Sequence, residues 1–356
     1  MRAVAVSGVG VVCPGTIGRR ALESGLGDGR VAGRPPRLGD LELESFLRNA
    51  RPFRRGAQAT RSALAAAALA LDDAGIGAGE LGGERAGLVV GVTHGAINYS
   101  TQFHRELLAQ GPAGASPLFF AESVLNAPAG NGAIAFGIRG PVHTLIGDET
   151  VGTQAIDLAA FLLDSETVER CLVVGTEEWS DVVRDAYGRA GRLNRESGDG
   201  APEPPSEAAA ALVLELPEAA ARRGAVPRAV ISGWTLGRGG AGRMESAIAD
   251  AVRDGFRRCG PSCAAADHVV LPTGPYRAAA RRGIVLARGS DAPPVREVDL
   301  RPLAGHPVGA ANLLQVAASA TLLSAGRLRG PGLVVAAGLE RTVSAAVLTA
   351  PGGAGP

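Results

Sequence analysis

The sequence predicts an α/β fold in which two halves repeat one order of elements, βαβαβαββ, and stack as five layers, αβαβα. Three observations predict it. The opening Arg2-Ala3-Val4-Ala5-Val6-Ser7-Gly8 returns as Arg228-Ala229-Val230-Ile231-Ser232-Gly233, so the chain restarts near residue 227. After each copy, β-branched runs and alanine-rich stretches alternate in the same order. The inner alanine-rich stretches are apolar all round, which demands burial on every side, between two sheets.

The halves are residues 1–226 and 227–350. In each, the first strand leads to a helical stretch, 58–75 and 244–259, whose apolar positions suit a buried helix. A short β-branched run follows, Gly87-Leu88-Val89-Val90-Gly91 in one half and His268-Val269-Val270-Leu271-Pro272 in the other. A second alanine-rich helix occupies 150–163 and 307–323. A pair of strands closes each half, 171–175 with 208–216 and 332–338 with 344–349. Such alternation implies parallel sheets joined by right-handed crossovers. Residues 194–206, NRESGDGAPEPPS, are dense in turn formers and read as a mobile surface loop.

With 356 residues and 46% hydrophobic content, the chain is long enough to bury a substantial core. No apolar run reaches membrane-spanning length, and MRAVAVSGVGVV enters a strand pattern at once, so a cytoplasmic protein is expected, without membrane contact. A net charge of +1 and 4% aromatic content disfavour nucleic acid as a partner. All 36 basic residues are arginine, which excludes lysine-dependent chemistry. Cys13, Cys171, Cys259 and Cys263 are scattered and expected to be reduced thiols. Cys259, Cys263 and His268 lack a fourth ligand, so neither a metal nor any other cofactor is expected.

Three motifs bear on chemistry. Gly8-Val9-Gly10-Val11-Val12-Cys13 falls one glycine short of a dinucleotide fingerprint and reads as a close-packed strand turn. In Gly140-Pro141-Val142-His143-Thr144-Leu145-Ile146-Gly147-Asp148-Glu149-Thr150-Val151-Gly152, an apolar strand turns tightly into a helix and projects Glu149 at the helix start. Aligned N–H groups there favour a negative charge and would activate a nucleophile. Arg301-Pro302-Leu303-Ala304-Gly305-His306-Pro307-Val308-Gly309-Ala310-Ala311 puts His306 at the matching elbow of the second half, and the repeat brings the two elbows to one pocket.

These residues resemble the β-ketoacyl synthases of the thiolase-like superfamily, over nearly the whole chain. Gly305-His306-Pro307-Val308-Gly309-Ala310-Ala311 is similar to the family's GHxxGAAG motif. Ser116-Pro117-Leu118-Phe119-Phe120, followed by Asn126 and Gly130, resembles the segment crossing the family's dimer interface, and 208–215 resembles the strand that ends its first half. In the family an elbow cysteine takes the acyl group from an acyl carrier protein, and two histidines assist decarboxylation of the extender. Here Glu149 stands for the cysteine, Thr273 for the first histidine and Arg301 for the lysine ahead of the retained His306. The glycine-rich gate reads Gly338-Leu339-Glu340-Arg341-Thr342, with Leu339 among the altered positions.

A carboxylate acylated at Glu149 would be an anhydride, too easily hydrolysed to hold a chain, and a low-pKa carboxylate attacks thioesters poorly. Losing one oxyanion donor costs about a hundredfold or more. The departures therefore imply that no catalytic set is intact and that the chain is not a condensing enzyme by itself. The resemblance is to chain-length factors of type II polyketide systems, which implies a heterodimer with an active ketosynthase subunit and indirect contact with acyl carrier protein. Phe119, Phe120, Ser123, Val124 and Ala127 would then line the tunnel or interface. The arginines at 48, 51, 54, 55 and 61 are either a carrier-facing patch or scattered solvated charges. Two other functions stay open: a malonyl-carrier decarboxylase of the loading type, and a stand-alone acyl-binding or acyl-transfer homodimer.

Overall fold

A computed structural model describes residues 2–28, 37–77, 80–190, 205–240, 242–260, 263, 266–289, 291–328 and 330–352. Apart from Pro205 and Ser206, the surface loop expected at 194–206 lies outside them. The chain begins with β1 (Val4–Cys13), β2 (Thr16–Ile17), α1 (Arg19–Asp28), α2 (Gln58–Asp73), β3 (Ala86–Val92) and α3 (Ile97–Gln110). It continues through α4 (Pro117–Ser123), α5 (Ala127–Phe136), β4 (Val142–Ile146), α6 (Val151–Asp164), β5 (Arg170–Glu177), α7 (Asp181–Arg189) and β6 (Ala208–Glu215). After α8 (Pro217–Arg222) come β7 (Ala229–Arg238), α9 (Met244–Cys259), β8 (His268–Val270), α10 (Arg277–Arg288) and β9 (Arg296–Val298). Last are α11 (Arg301–Ala304), α12 (Val308–Ser324), β10 (Gly332–Ala337) and β11 (Thr342–Thr349).

The strands form one hydrogen-bonded sheet in the order β4-β3-β5-β6-β1-β7-β11-β10-β8-β9, with β2 beside β1. Its two arms repeat: β4-β3-β5-β6-β1 corresponds strand for strand to β9-β8-β10-β11-β7. The arms join where Val4, Ala5 and Val6 of β1 pair with Ile231, Val230 and Ala229 of β7, the segments whose sequences repeat.

The expectation of wholly parallel sheets is corrected. Pairs β3–β4, β3–β5, β8–β9 and β8–β10 are parallel, whereas β5–β6, β6–β1, β7–β11 and β10–β11 are antiparallel. The turn from β10 to β11 spans only residues 338–341, and so short a connection reverses the chain instead of carrying it across the sheet.

Three apolar cores separate five layers. The central one holds Ala155, Ile156 and Ala159 of α6 and Leu313, Leu314 and Ala317 of α12, against Val173 and Leu212 of one arm and Val334 and Leu348 of the other. A second packs α2 and α5 on the outer face of the first arm, through Leu172, Val174 and Val213. The third packs α9 and α10 on the outer face of the second arm, through Leu333, Val335 and Val347. The alternation of Val173 with Val174 and of Val334 with Val335 between cores is the period-two signature of a strand buried on both faces. Residues 308–323 of α12 are all buried, as an inner-layer helix requires.

Gly8 and Gly10 take the close-packing role read from the sequence. A side chain at either position would collide with the α2 backbone at Ala70 or Ala66. One cysteine expectation fails: Cys259, at the end of α9, and Cys263 are joined as a disulfide, four residues being enough separation for their Cα atoms to lie 5.9 Å apart. Among the described residues no helix is long and apolar enough to cross a membrane.

Candidate functional site

The site lies where three turns meet: the elbow from β4 into α6, the turn before α12, and the β10–β11 turn. Asp148 organises the first. Its Oδ1 accepts from the Thr150 amide at 3.1 Å and the Thr150 hydroxyl at 2.9 Å, satisfying donors at the start of α6. Its Oδ2 accepts the Glu340 amide at 3.0 Å, and Thr342 Oγ1 donates to the carboxylate at 2.6 Å. One side chain thus ties the elbow to the β10–β11 turn. Within that turn Arg341 adopts a left-handed φ of 62°, which non-glycine residues rarely take.

Glu149 points into the interior. Its Oε1 lies 3.1 Å from His306 Nε2, and its Oε2 accepts the Leu339 amide at 2.9 Å. His306 Nδ1 in turn lies 3.0 Å from Thr273 Oγ1. Glu149, His306 and Thr273 are only 3%, 3% and 4% exposed. Nε2 thus faces the carboxylate and Nδ1 the Thr273 hydroxyl; a neutral ring with its hydrogen on Nε2 donates to Glu149 and accepts from Thr273. Both ring nitrogens are occupied. Gly274 completes the enclosure, since a β-carbon there would sit 2.8 Å from His306 Cε1 and 3.2 Å from Glu149 Oε1.

The structure brings Glu149, His306, Thr273 and Leu339 together. Arg301 goes elsewhere: its guanidinium grips Asp299 at 2.8 and 3.1 Å, and its amide bonds the same carboxylate. Burial works against ionising Asp299, but the Arg301 hydrogen bonds and the Arg277 charge prevail and lower its pKa. The amide that holds Glu149 also comes from the β10–β11 turn, not from the helix start where sequence placed such donors.

Phe119, Phe120 and Ser123 lie on α4, Val124 follows it, and Ala127 is the first residue of α5. Phe119 stacks edge-on with Tyr99 at 5.0 Å and Phe120 meets Phe103 at 5.3 Å, while Ser123 Oγ donates to the Phe120 carbonyl. Ala127 is buried, but Phe120 is 57% and Val124 39% exposed, so this stretch presents apolar surface outward. Ile134 on α5 and Ile146 on β4, the end strand of the first arm among the described residues, are also exposed apolar side chains. In the basic run, Arg54 pairs with Glu44 and Arg61 donates to the Leu41 carbonyl.

A second carboxylate–imidazole line escaped the sequence reading. His94, just after β3, bonds Glu177 Oε1 through Nδ1 at 3.1 Å and the Tyr187 hydroxyl through Nε2 at 3.3 Å. Glu177 Oε2 accepts the Gly309 amide at 3.0 Å, which ties this line to the start of α12. Burial of His94 opposes protonation, but the Glu177 hydrogen bond and charge outweigh it and raise the pKa. Next to it burial pushes Glu178 up to about 7, despite amide bonds from Asn98 and Ala59. The paired Glu177-Glu178 closing a buried strand was the available signal.

Comparison with known proteins identifies the family and the fold. Residues 39–217 match the family model for the β-ketoacyl synthase N-terminal domain. The 3-oxoacyl-[acyl-carrier-protein] synthase 2 of Vibrio harveyi is 29% identical over 215 residues, 53% of this chain and 51% of that protein, and its Vibrio cholerae counterpart is 28% identical over the same shares. The chain spans about half the length of these curated relatives. Among solved structures, the ishigamide ketosynthase/chain length factor superposes with a TM-score of 0.85 at 21% identity, covering 98% of this chain and 99% of that one. A type II PKS acyl-carrier protein complex with its ketosynthase bound to the hexaketide gives 0.82 at 19%, covering 98% and 100%. A β-ketoacyl synthase from Burkholderia phymatum gives 0.82 at 18%, with the same coverage. These likenesses establish a thiolase-like ketosynthase fold.

Proposed function

Because the chain belongs to the β-ketoacyl synthase family, we propose that it is a non-condensing, chain-length-factor-like subunit that pairs with an active ketosynthase in type II polyketide biosynthesis. The observation that carries this is the sealed elbow. Glu149 occupies the nucleophile's place with both oxygens bonded, and His306, with both nitrogens engaged, has no N–H left for an enolate oxygen. No cysteine replaces the missing thiol. Cys13 and Cys171 are buried in strands, the latter pushed up to about 12 by burial, and Cys259 is bonded to Cys263.

The partner would dock on the free β4 edge and the apolar surface of α4 and α5, where an unpaired strand edge invites pairing. Phe119, Phe120, Ser123, Val124 and Ala127 would face its acyl tunnel and set how long a chain fits, with carrier protein meeting the pair mainly through the partner. Residues 1–226 and 227–350 would act as one rigid unit of two halves. The same occupied imidazole argues against a decarboxylase. Incubating the purified chain with malonyl-carrier tests this: no carbon dioxide above background is expected, and catalytic release would overturn the reading.

A further inference from the structure

The bonding that removes His306 from oxyanion work arranges it for a different task. Thr273 Oγ1, His306 and Glu149 form a continuous line: hydroxyl to Nδ1 at 3.0 Å, Nε2 to carboxylate at 3.1 Å. A hydroxyl, an imidazole whose free lone pair faces it, and a carboxylate fixing the tautomer from the far side are the three parts of an activated-alcohol relay. The line is closed over by the 338–342 turn, whose Leu339 amide bonds Glu149 Oε2. Substrate access requires that turn to lift, which breaks the Leu339 bond to Oε2 and the Asp148 bonds to Glu340 and Thr342 while leaving Oε1 on His306 and the Thr273 contact in place.

We propose that Thr273, His306 and Glu149 hydrolyse acyl thioesters through an acyl-threonine ester. Thr273 Oγ adds to the thioester carbonyl as its proton passes to His306 Nδ1; collapse breaks the carbon–sulfur bond, and the departing thiolate takes that proton. Water then adds to the ester carbonyl, losing a proton to Nδ1, and collapse returns it to Thr273 Oγ with release of the carboxylic acid. The balance is thioester plus water to acid plus thiol. Glu149 faces the Nε2–H throughout and stabilises the transient imidazolium. Such an activity would remove stalled chains, and it stands independently of the pairing proposed above.

The experiment uses the full purified chain with hexanoyl-N-acetylcysteamine, following loss of the thioester and, after acid quench, the mass of each peptide. An acyl increment on the peptide carrying Thr273 is expected. T273V should slow thioester loss about a hundredfold or more and abolish the increment, T273S should keep both, and E149Q should slow turnover about a hundredfold or more. Equal rates for the wild type and T273V, or an increment absent or mapped elsewhere, would overturn the relay. The wild-type peptide map decides the matter even if T273V fails to fold. Association with a ketosynthase is scored separately: loss of hydrolysis in a T273V chain that still associates leaves the pairing untouched, and the converse result counts only against the pairing.

Discussion

Glu149 is a buried carboxylate held by one imidazole and one backbone amide, and each partner would be stranded without it. Breaking a buried, hydrogen-bonded pair by deleting one member costs about 3 kcal/mol, so E149A should lower unfolding free energy by that order in urea denaturation. E149Q, which keeps an oxygen for the Leu339 amide, should lose less than half as much. Equal stability of E149A and wild type would mean that the line contributes nothing to the fold. Glu149 and Thr273 were visible as departures from a family pattern, and His306 as the histidine that matches it. Their mutual bonding was not, because residues 149, 273 and 306 meet only through tertiary packing. The clasp formed by Asp148 was hidden for the same reason, since its partners Glu340 and Thr342 lie more than 190 positions away.

Helices α6 and α12 set the spacing of the central layer. Gly152 of α6 meets α12 so closely that a β-carbon would lie 2.8 Å from the Leu313 amide nitrogen and 3.0 Å from Asn312 Cβ. G152V should therefore cost about 1–3 kcal/mol through overpacking, read as a lower melting temperature, although valine removes the flexibility of glycine in the unfolded chain. An unchanged melting temperature would show that the two helices can separate freely. Element existence was legible because alanine-rich and β-branched runs alternate, and α9 spans the residues expected from its pattern. Strand direction was less legible: apolar runs buried on both faces look alike whether their neighbours run parallel or antiparallel. The disulfide was missed because cysteine spacing carries no redox information in a chain of this size.

Across the whole molecule, buried ionisable groups give stability a pH signature. Glu178 has a folded pKa raised to about 7, so its contribution is complete below its unfolded value near 4.5 and is lost as pH rises through 7. His268, bonded to Ser319, is lowered by burial to about 4, so its contribution is present above 6.5 and is lost as pH falls toward 4. The two oppose each other between about pH 4.5 and 6.5, and removing one exposes the other. E178Q should become more stable than wild type as pH rises from 5 to 8, by up to ~3 kcal/mol, whereas a constant difference across that range would contradict the burial argument. The five-layer plan followed from the repeat at Arg2 and Arg228, while the fusion of both arms into one sheet at β1 and β7 did not, because a short pairing between similar strands leaves no mark in either. The elbow filled by Glu149 underlies the proposal that this chain is the non-condensing half of a condensing pair. Co-expression with a ketosynthase subunit, followed by native mass measurement and a condensation assay, tests it most directly. A heterodimer whose condensation depends on the partner's cysteine is the expected result; a chain that condenses acyl and malonyl groups alone would contradict the proposal.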